Sequence, residues 1–225
     1  MSLHAVLFDV DFTLAKPGPV LDPGGYERAG LRHGLDLDPA CYESARAAAI
    51  LDLRHHPDLE HDENIWIRFT EDIIRGMGGA GSAVSALAIE IVRAWEHSEN
   101  FELYEDVPPV IRELHRHGLR VGLVSNTSRD LRRFVDTFSL DVDAWVASGS
   151  YGKVKPSPSI FRAVLELLDV EPKNAAMIGD SLFDDVEGAR AVGMQAFLLD
   201  RERMHHDGPD VLRTLYELPA RLGLS

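Results

Sequence analysis

Residues 5–14 have the sequence AVLFDVDFTL, and this stretch decides the fold. An apolar run of strand-forming residues ends in Asp9 and Asp11, which are two positions apart, and Thr13 follows two positions later. A short, continuous apolar run of this kind is typical of a strand that is buried on both faces of a parallel sheet. Because side chains alternate along an extended chain, the three polar side chains are predicted to face the same way at the end of that strand.

Four further apolar runs extend this pattern through the chain. Between them lie helical patterns whose first turns are marked by proline, at Pro108-Pro109 and at Ser157-Pro158. Alternating strands and helices predict an α/β fold in which a parallel sheet carries helices on both faces. The last segment, residues 210–223, is predicted to be a helix that packs back on the core. The five predicted strands are Ala5–Val10, Val121–Ser125, Ala144–Ala147, Ala175–Ile178 and Ala196–Leu199.

Residues 16–105 break the alternation, because they contain four segments of helical periodicity and no clear strand. We therefore predict a helical insertion over residues 16–105, and a core made from residues 1–15 and 106–225. Since the first strand precedes the insertion and the second follows it, we expect the insertion to form a lid over the C-terminal edge of the sheet.

Composition and charge narrow the class of partner. The 225 residues include 23 basic and 37 acidic side chains, which gives a net charge of −14. Such a charge repels nucleic acid and anionic membranes, so a small molecule is the expected partner. The N-terminal residues lack the basic segment of a secretory signal, and the protein is expected to be cytoplasmic.

Polar side chains follow three other predicted strands. Taken one at a time they have ordinary explanations, such as a helix cap, a solvated lysine or acids at a helix start. Together they lie at the edge where open α/β sheets bind ligands, and a hydroxyl with neighbouring N–H groups at a helix start can hold an anion. These residues are Ser125 and Asn126 after the second strand, Lys155 after the third, and Asp180, Asp184 and Asp185 after the fourth.

Four of these elements, in this order, resemble the four motifs of the haloacid dehalogenase superfamily. They are DVDFT (residues 9–13), Ser125, KPSPSIF (residues 155–161) and GDSLFDDVEGARAVGM (residues 179–194). The resemblance covers nearly all of the chain outside the insertion. It implies a Rossmann-like core of three layers with a helical cap between the first two motifs.

The resemblance also implies a role for each matching residue. Asp9 is the implied nucleophile, which becomes an aspartyl phosphate, and Asp11 protonates the leaving oxygen and later activates water. A neighbouring carboxyl can serve both steps because a covalent intermediate divides the transfer in two. Thr13, Ser125 and Lys155 are similar to the positions that hold the transferred phosphoryl group.

Several carboxylates facing a phosphate require a cation, and an all-oxygen ligand set favours Mg²⁺ over zinc. The resemblance assigns the metal contacts to the Asp9 carboxylate, the Asp11 main-chain carbonyl and Asp180. It assigns Asp185, or alternatively Asp184, to a supporting position behind these ligands. Two departures from the family pattern are Phe12, where glycine is frequent, and Ser157, where aspartate is frequent.

The sequence thus predicts a Mg²⁺-dependent phosphatase that acts on a small phosphomonoester, of the phosphoglycolate, sugar phosphate or nucleotide class. A dehalogenase would have no leaving oxygen to protonate and would not need Asp11. A phosphomutase remains an alternative, with insertion arginines such as Arg28, Arg46 or Arg68 binding a second phosphate. A regulatory module that senses phosphate without turnover is a further alternative.

Overall fold

The computed structural model describes residues 3–53, 59–204 and 208–224. The chain divides into two compact units, one made from residues 1–16 and 103–225 and the other from residues 17–102. The first unit contains the sheet, and the second is largely helical.

Strands in the described ranges form two sheets. The six-stranded sheet has the order β5-β4-β1-β6-β7-β8, and every neighbouring pair in it is parallel. Strands β2 and β3 pair with each other separately. All five predicted strands are confirmed within two residues at either end. The strands are β1 (Ala5–Phe8), β2 (Ala15–Pro17), β3 (Phe101–Leu103), β4 (Arg120–Ser125), β5 (Ala144–Ala147), β6 (Ala175–Gly179), β7 (Gln195–Leu199) and β8 (Val211–Leu212).

Helices flank the sheet, as the alternating pattern predicts, so the α/β, Rossmann-like fold is confirmed. Helix α8 shows how sequence determines this arrangement, since the proline at its first position has no N–H that would need a partner there. Its buried face, which includes Phe161 and Val164, belongs to the same hydrophobic cluster as Leu7 of the central strand. The helices of this unit are α5 (Val107–Arg116), α6 (Leu131–Phe138), α7 (Ser148–Tyr151), α8 (Pro158–Leu168), α9 (Gly188–Ala191) and α10 (Leu218–Arg221), after α1 to α4 of the second unit.

The second unit contains α1 (Pro23–Arg32), α2 (Tyr42–Leu53), α3 (Glu63–Gly76) and α4 (Ala83–Trp95), which confirms the four predicted helical segments. Helix α3 packs against both α2 and α4. It begins at a side-chain cap, where the Asp62 carboxylate accepts from the Asn64 N–H, and it buries Ile73 and Ile74.

The prediction of one C-terminal helix over residues 210–223 is wrong. Val211 pairs with Leu198 of β7, and Thr214 then caps a short 3₁₀ turn. Only the four residues of α10 are α-helical in this segment, and proline occupies its second position. A proline has no N–H and clashes with the carbonyl four residues earlier, so a helix cannot run through Pro219 from Val211.

No helix in the parts of the chain that the structure describes is long and apolar enough to cross a bilayer.

Candidate active site

The loop after β1 brings carboxyl and hydroxyl groups to the C-terminal edge of the sheet. The Asp9 N–H donates to the Ile178 carbonyl at 2.9 Å, and the Leu14 N–H donates to the Val10 carbonyl at 2.8 Å, so the chain leaves the strand in a tight turn. Asp9 is only 6% exposed, and Thr13 is fully buried. A charged group with so little access to water needs nearby compensation.

Lys155 provides that compensation. Its Nζ donates to Asp9 Oδ1 at 2.5 Å and to Asp185 Oδ1 at 2.6 Å, and the lysine is 3% exposed. Charge-assisted bonds to two carboxylates satisfy a buried ammonium group. Two negative charges nevertheless face one positive charge, so this buried cluster keeps an excess of negative charge.

The pKa values of the cluster reflect this balance. Burial raises the pKa of the Asp9 carboxyl to about 7; the Lys155 ammonium opposes the increase, and the Asp185 and Asp11 carboxylates add to it. Burial alone would lower the pKa of Lys155, but the Asp185 and Asp9 carboxylates outweigh it and hold that pKa above its ordinary value. The lysine is therefore a fixed positive charge.

A third carboxylate, Asp180, completes a possible cation site. One carboxylate oxygen from each of Asp9, Asp180 and Asp185 lies within 4.8 Å of the other two. Hard oxygen ligands with excess negative charge suit Mg²⁺, so the residues fit the predicted ion. The side chain of Asp11 is not part of this group among the described residues, and the prediction of its main-chain carbonyl as a ligand stays a prediction.

The structure also distinguishes Asp185 from Asp184. Asp185 binds Lys155, whereas the Asp184 carboxylate accepts from the Ser181 hydroxyl at 3.1 Å. Both acids lie in a single π-helical segment, Leu182–Glu187, a rare geometry that is frequent at functional sites. Asp185 therefore contacts the cluster directly, whereas Asp184 binds Ser181, and the supporting role of either acid stays a prediction.

Gly179, at the end of β6, allows this close approach. A Cβ atom at this position would lie 2.1 Å from Asp185 Oδ2, far inside any normal contact. The same oxygen accepts from the Ser181 N–H at 3.0 Å, which fixes the carboxylate against the strand end. Gly179 is thus required because the Asp185 carboxylate, six positions later, packs where a Cβ atom would lie.

Ser125 and Asn126 occupy the end of β4 and the turn after it. Ser125 is 1% exposed. Asn126 Oδ1 accepts from the Lys155 N–H at 2.7 Å, and Asn126 Nδ2 donates to the Lys155 carbonyl at 3.1 Å. The side chain of Asn126 therefore binds the main chain of Lys155, and the main-chain N–H of Asn126 keeps the predicted capacity to bind an anion.

Thr13 is held through its main-chain carbonyl, and its side-chain hydroxyl is available for a hydrogen bond. Arg201 Nη2 donates to the Thr13 carbonyl at 2.9 Å while Arg201 also pairs with Asp106. The Thr13 hydroxyl is buried and has no hydrogen-bond partner among the described residues. Such a group is costly unless a ligand satisfies it, which agrees with the predicted contact to phosphate.

Phe12 has a φ angle of +63°, in the left-handed region that favours glycine. This backbone conformation accounts for the frequency of glycine at the matching family position. A bulky side chain there costs about 1–2 kcal/mol of backbone strain.

Sequence reasoning missed Arg129, which is 1% exposed and forms an ion pair with Asp11. Its Nη2 donates to Asp11 Oδ1 at 2.7 Å. In the sequence, Arg129 resembles Arg132 and Arg133, which are exposed on α6. The one sequence feature that distinguishes Arg129 from these exposed arginines is its place in the polar turn after β4.

The chain is similar to proteins of one family. A family model described as haloacid dehalogenase-like hydrolase matches residues 3–193. The bovine haloacid dehalogenase-like hydrolase domain-containing protein 3 (Bos taurus) is 34% identical over 210 residues, covering 88% of this chain and 82% of its own.

Two further relatives are phosphatases by name. Human N-acylneuraminate-9-phosphatase (Homo sapiens) is 29% identical over 209 residues, covering 86% of this chain and 81% of its own. The crystal structure of a HAD phosphatase from Thermococcus onnurineus is similar with a TM-score of 0.65 and 26% identity, and the match covers 98% of both chains.

Proposed function

This chain belongs to the haloacid dehalogenase-like hydrolases, and from that membership and the site geometry we propose that it is a Mg²⁺-dependent phosphatase of small phosphomonoesters. The observation that carries the proposal is the cluster of Asp9, Lys155, Asp180 and Asp185, in which all but Asp180 are buried, with Asp11 two positions from Asp9. The similarity to N-acylneuraminate-9-phosphatase and to the HAD phosphatase from Thermococcus onnurineus supports the same class of reaction.

In the first step, a carboxylate oxygen of Asp9 attacks the phosphorus of the substrate. The bond from phosphorus to the ester oxygen breaks, and Asp11 gives its proton to that oxygen, so an alcohol leaves. Lys155 keeps Asp9 in place and supplies a fixed positive charge next to the transferred group.

In the second step, Asp11 takes a proton from a water molecule whose oxygen attacks the phosphorus of the aspartyl phosphate. The bond between phosphorus and the Asp9 oxygen breaks, and inorganic phosphate leaves. Asp9 is again a carboxylate and Asp11 again carries a proton, so the cycle closes with one ester bond hydrolysed.

Asp9, Asp180 and Asp185 would hold the metal ion. When bound, Mg²⁺ neutralises the excess negative charge of these carboxylates, which would otherwise repel a phosphate dianion. Thr13 and Ser125 are proposed to donate their hydroxyls to the phosphate oxygens, and the Asn126 side chain positions Lys155 for the same group.

Substrate size stays a prediction from the helical insertion, which we expect to restrict the site to small phosphomonoesters and to exclude water during the reaction.

The test is phosphate release from a panel of sugar phosphates, phosphoglycolate and nucleoside monophosphates, with Mg²⁺ and with EDTA. We expect release that requires the metal and that is absent in Asp9→Asn. Asp136→Asn, which alters an exposed acid on α6, is the matched control and should behave as the wild type. Absence of release from every compound by a protein that binds Mg²⁺ would overturn the proposal, and phosphate transfer between two positions of a sugar would replace it with the mutase.

A further inference from the structure

Arg129 carries a charge that is buried beside Asp11. Arg129 heads the largest side chains that are fully buried in the described part of the chain. Its side chain has 0% exposure, while that of Asp11 retains 19%. Arg129 thus contacts Asp11, whose side chain is partly exposed.

The side chain and the main chain of Arg129 are both held by neighbouring residues. Its Cζ lies 5.5 Å from the centre of the Phe134 ring, within range of a cation–π interaction. The Arg129 N–H donates to Thr127 Oγ1 at 3.1 Å, and the Thr127 carbonyl accepts from the Gly149 N–H at 2.9 Å. The arginine is thus anchored at its backbone and packed along its side chain, so its end has a defined position.

Asp9 and Asp11, in the loop after β1, are bound by different cations. Lys155 binds Asp9 at 2.5 Å, and Arg129 binds Asp11 at 2.7 Å. Arg129 lies between β4 and α6, and Lys155 lies between α7 and α8, after the neighbouring strand β5. A buried guanidinium without an anionic partner is costly. The ion pair with Arg129 therefore holds the Asp11 carboxylate next to the guanidinium.

We propose that Arg129 is the positioning residue of Asp11, which it orients for proton transfer; this rests on the proposed phosphatase function. Arginine has donors and no acceptor, so Asp11 Oδ1, which accepts from Nη2, is not the oxygen that carries a proton. The other oxygen, Oδ2, is left to give its proton to the leaving alcohol and to take one from water. Without Arg129 the Asp11 side chain would rotate among several positions, few of them productive.

The experiment measures release of the leaving group in a single turnover, with enzyme in excess and Mg²⁺ present. The substrates are aryl phosphates whose phenols range from strongly to weakly acidic. A correctly oriented acid makes the rate almost independent of phenol acidity, since the proton compensates for a poor leaving group. We expect Arg129→Met to slow the poorest leaving group about 10²-fold or more, and the most acidic one only slightly.

The double variant Asp11→Asn/Arg129→Met separates positioning from general damage. If Arg129 acts through Asp11, its removal in the Asp11→Asn protein changes the rate by less than about twofold, because effects within one unit are not additive. Arg129→Lys keeps a buried positive charge and guards against a folding defect; we expect it to recover part of the loss. Arg132→Met, on the exposed face of α6, is the matched control.

Two results would overturn the inference in an enzyme that is active as wild type. One is an unchanged dependence on the leaving group in Arg129→Met, and the other is a loss in the double variant equal to the sum of the single losses. A wild-type protein that transfers no phosphoryl group from any substrate overturns the proposed function, and the positioning role falls with it, so the two failures are distinguishable.

Discussion

The side-chain amide of Asn126 brackets the main chain of Lys155, accepting from its N–H at 2.7 Å and donating to its carbonyl at 3.1 Å. One side chain thus satisfies both backbone groups of the residue whose ammonium binds Asp9 and Asp185. The position of the buried charge is therefore set by a neutral group on the adjacent strand end.

Asn126→Asp should weaken phosphate binding more than Asn126→Ala. The aspartate keeps the acceptor but places a negative oxygen against the Lys155 carbonyl, whereas alanine only removes two bonds, worth about 1–3 kcal/mol of unfolding free energy together. The measurement is KM for the best substrate, with urea unfolding in parallel. The control is Asn174→Asp, which makes the same change directly before the first residue of β6, at the end of the strand away from Asp180. Equal KM values for all variants would contradict the prediction.

Gly179→Ala should disrupt the site. The new Cβ would lie 2.1 Å from Asp185 Oδ2, so the carboxylate must move away from Lys155 and from the candidate cation site. We expect a destabilisation of about 1–3 kcal/mol and at least a tenfold fall in Mg²⁺ affinity, measured by urea unfolding and by calorimetry. Gly208→Ala, where the nearest atom lies 3.8 Å away, is the matched control. Wild-type Mg²⁺ affinity in Gly179→Ala would show that Asp185 does not take part in the cation site.

Mg²⁺ affinity should depend on pH through Asp9. Burial raises the pKa of Asp9 to about 7, so below that pH a proton must leave before the ion can bind. We expect affinity to be constant above pH 7 and to fall toward tenfold per pH unit below it. Calorimetry in buffers from about pH 5.5 to 8 tests this, with Asp9→Asn as the variant that loses the dependence. A flat profile for the wild type would contradict it.

Asp106 should stabilise the core in a pH-dependent way. Its carboxylate accepts from both Nη atoms of Arg201 at 2.9 Å, from the Thr214 hydroxyl at 2.6 Å and from the Leu215 N–H at 2.8 Å. Burial alone would raise the pKa of Asp106, but these hydrogen bonds outweigh it and hold that pKa below its ordinary value. The stabilisation is therefore fully present above the ordinary value of 3.8 and is lost as the pH falls through the lowered pKa.

Asp106→Asn should cost about 3 kcal/mol or more near pH 7, because it leaves the Arg201 charge without its partner. Urea unfolding at several pH values measures the difference from the wild type, which we expect to shrink below the ordinary pKa of aspartate. Asp136→Asn again provides the control for an exposed acid. A difference that stays constant into the acid range would show that the charge of Asp106 is not its source.

The sequence was sufficient for five of the six strands of the larger sheet, because each of the five is a short apolar run. It also placed Asp9, Lys155 and Asp180 at one sheet edge, since parallel strands bring their carboxyl ends together. The C-terminal segment was misassigned because its apolar spacing fits a helix, while pairing of Val211 with β7 and the position of Pro219 decide otherwise.

The roles of Arg129 and Asn126 were beyond the sequence for a different reason. An arginine among other arginines has no sequence signature of burial, and the partner of Arg129 lies 118 positions away. The Asn126 amide likewise suits an anion or a backbone equally well, and only the approach of Lys155, 29 positions later, selects the backbone. Long-range pairing of polar groups depends on packing, which local patterns do not encode.

The position of β1 has a consequence for biosynthesis. This strand lies between β4 and β6, yet it comes from residues 5–8, and its second neighbour consists of residues 175–179. During translation the apolar β1 segment, with Asp9 behind it, therefore waits until most of the chain has been made before both of its edges can pair. Through that interval at least one edge of this apolar strand is unpaired, and exposed apolar edges of this kind promote aggregation. Asp9, the proposed nucleophile, follows a strand whose pairing is completed only after β6 has been synthesised.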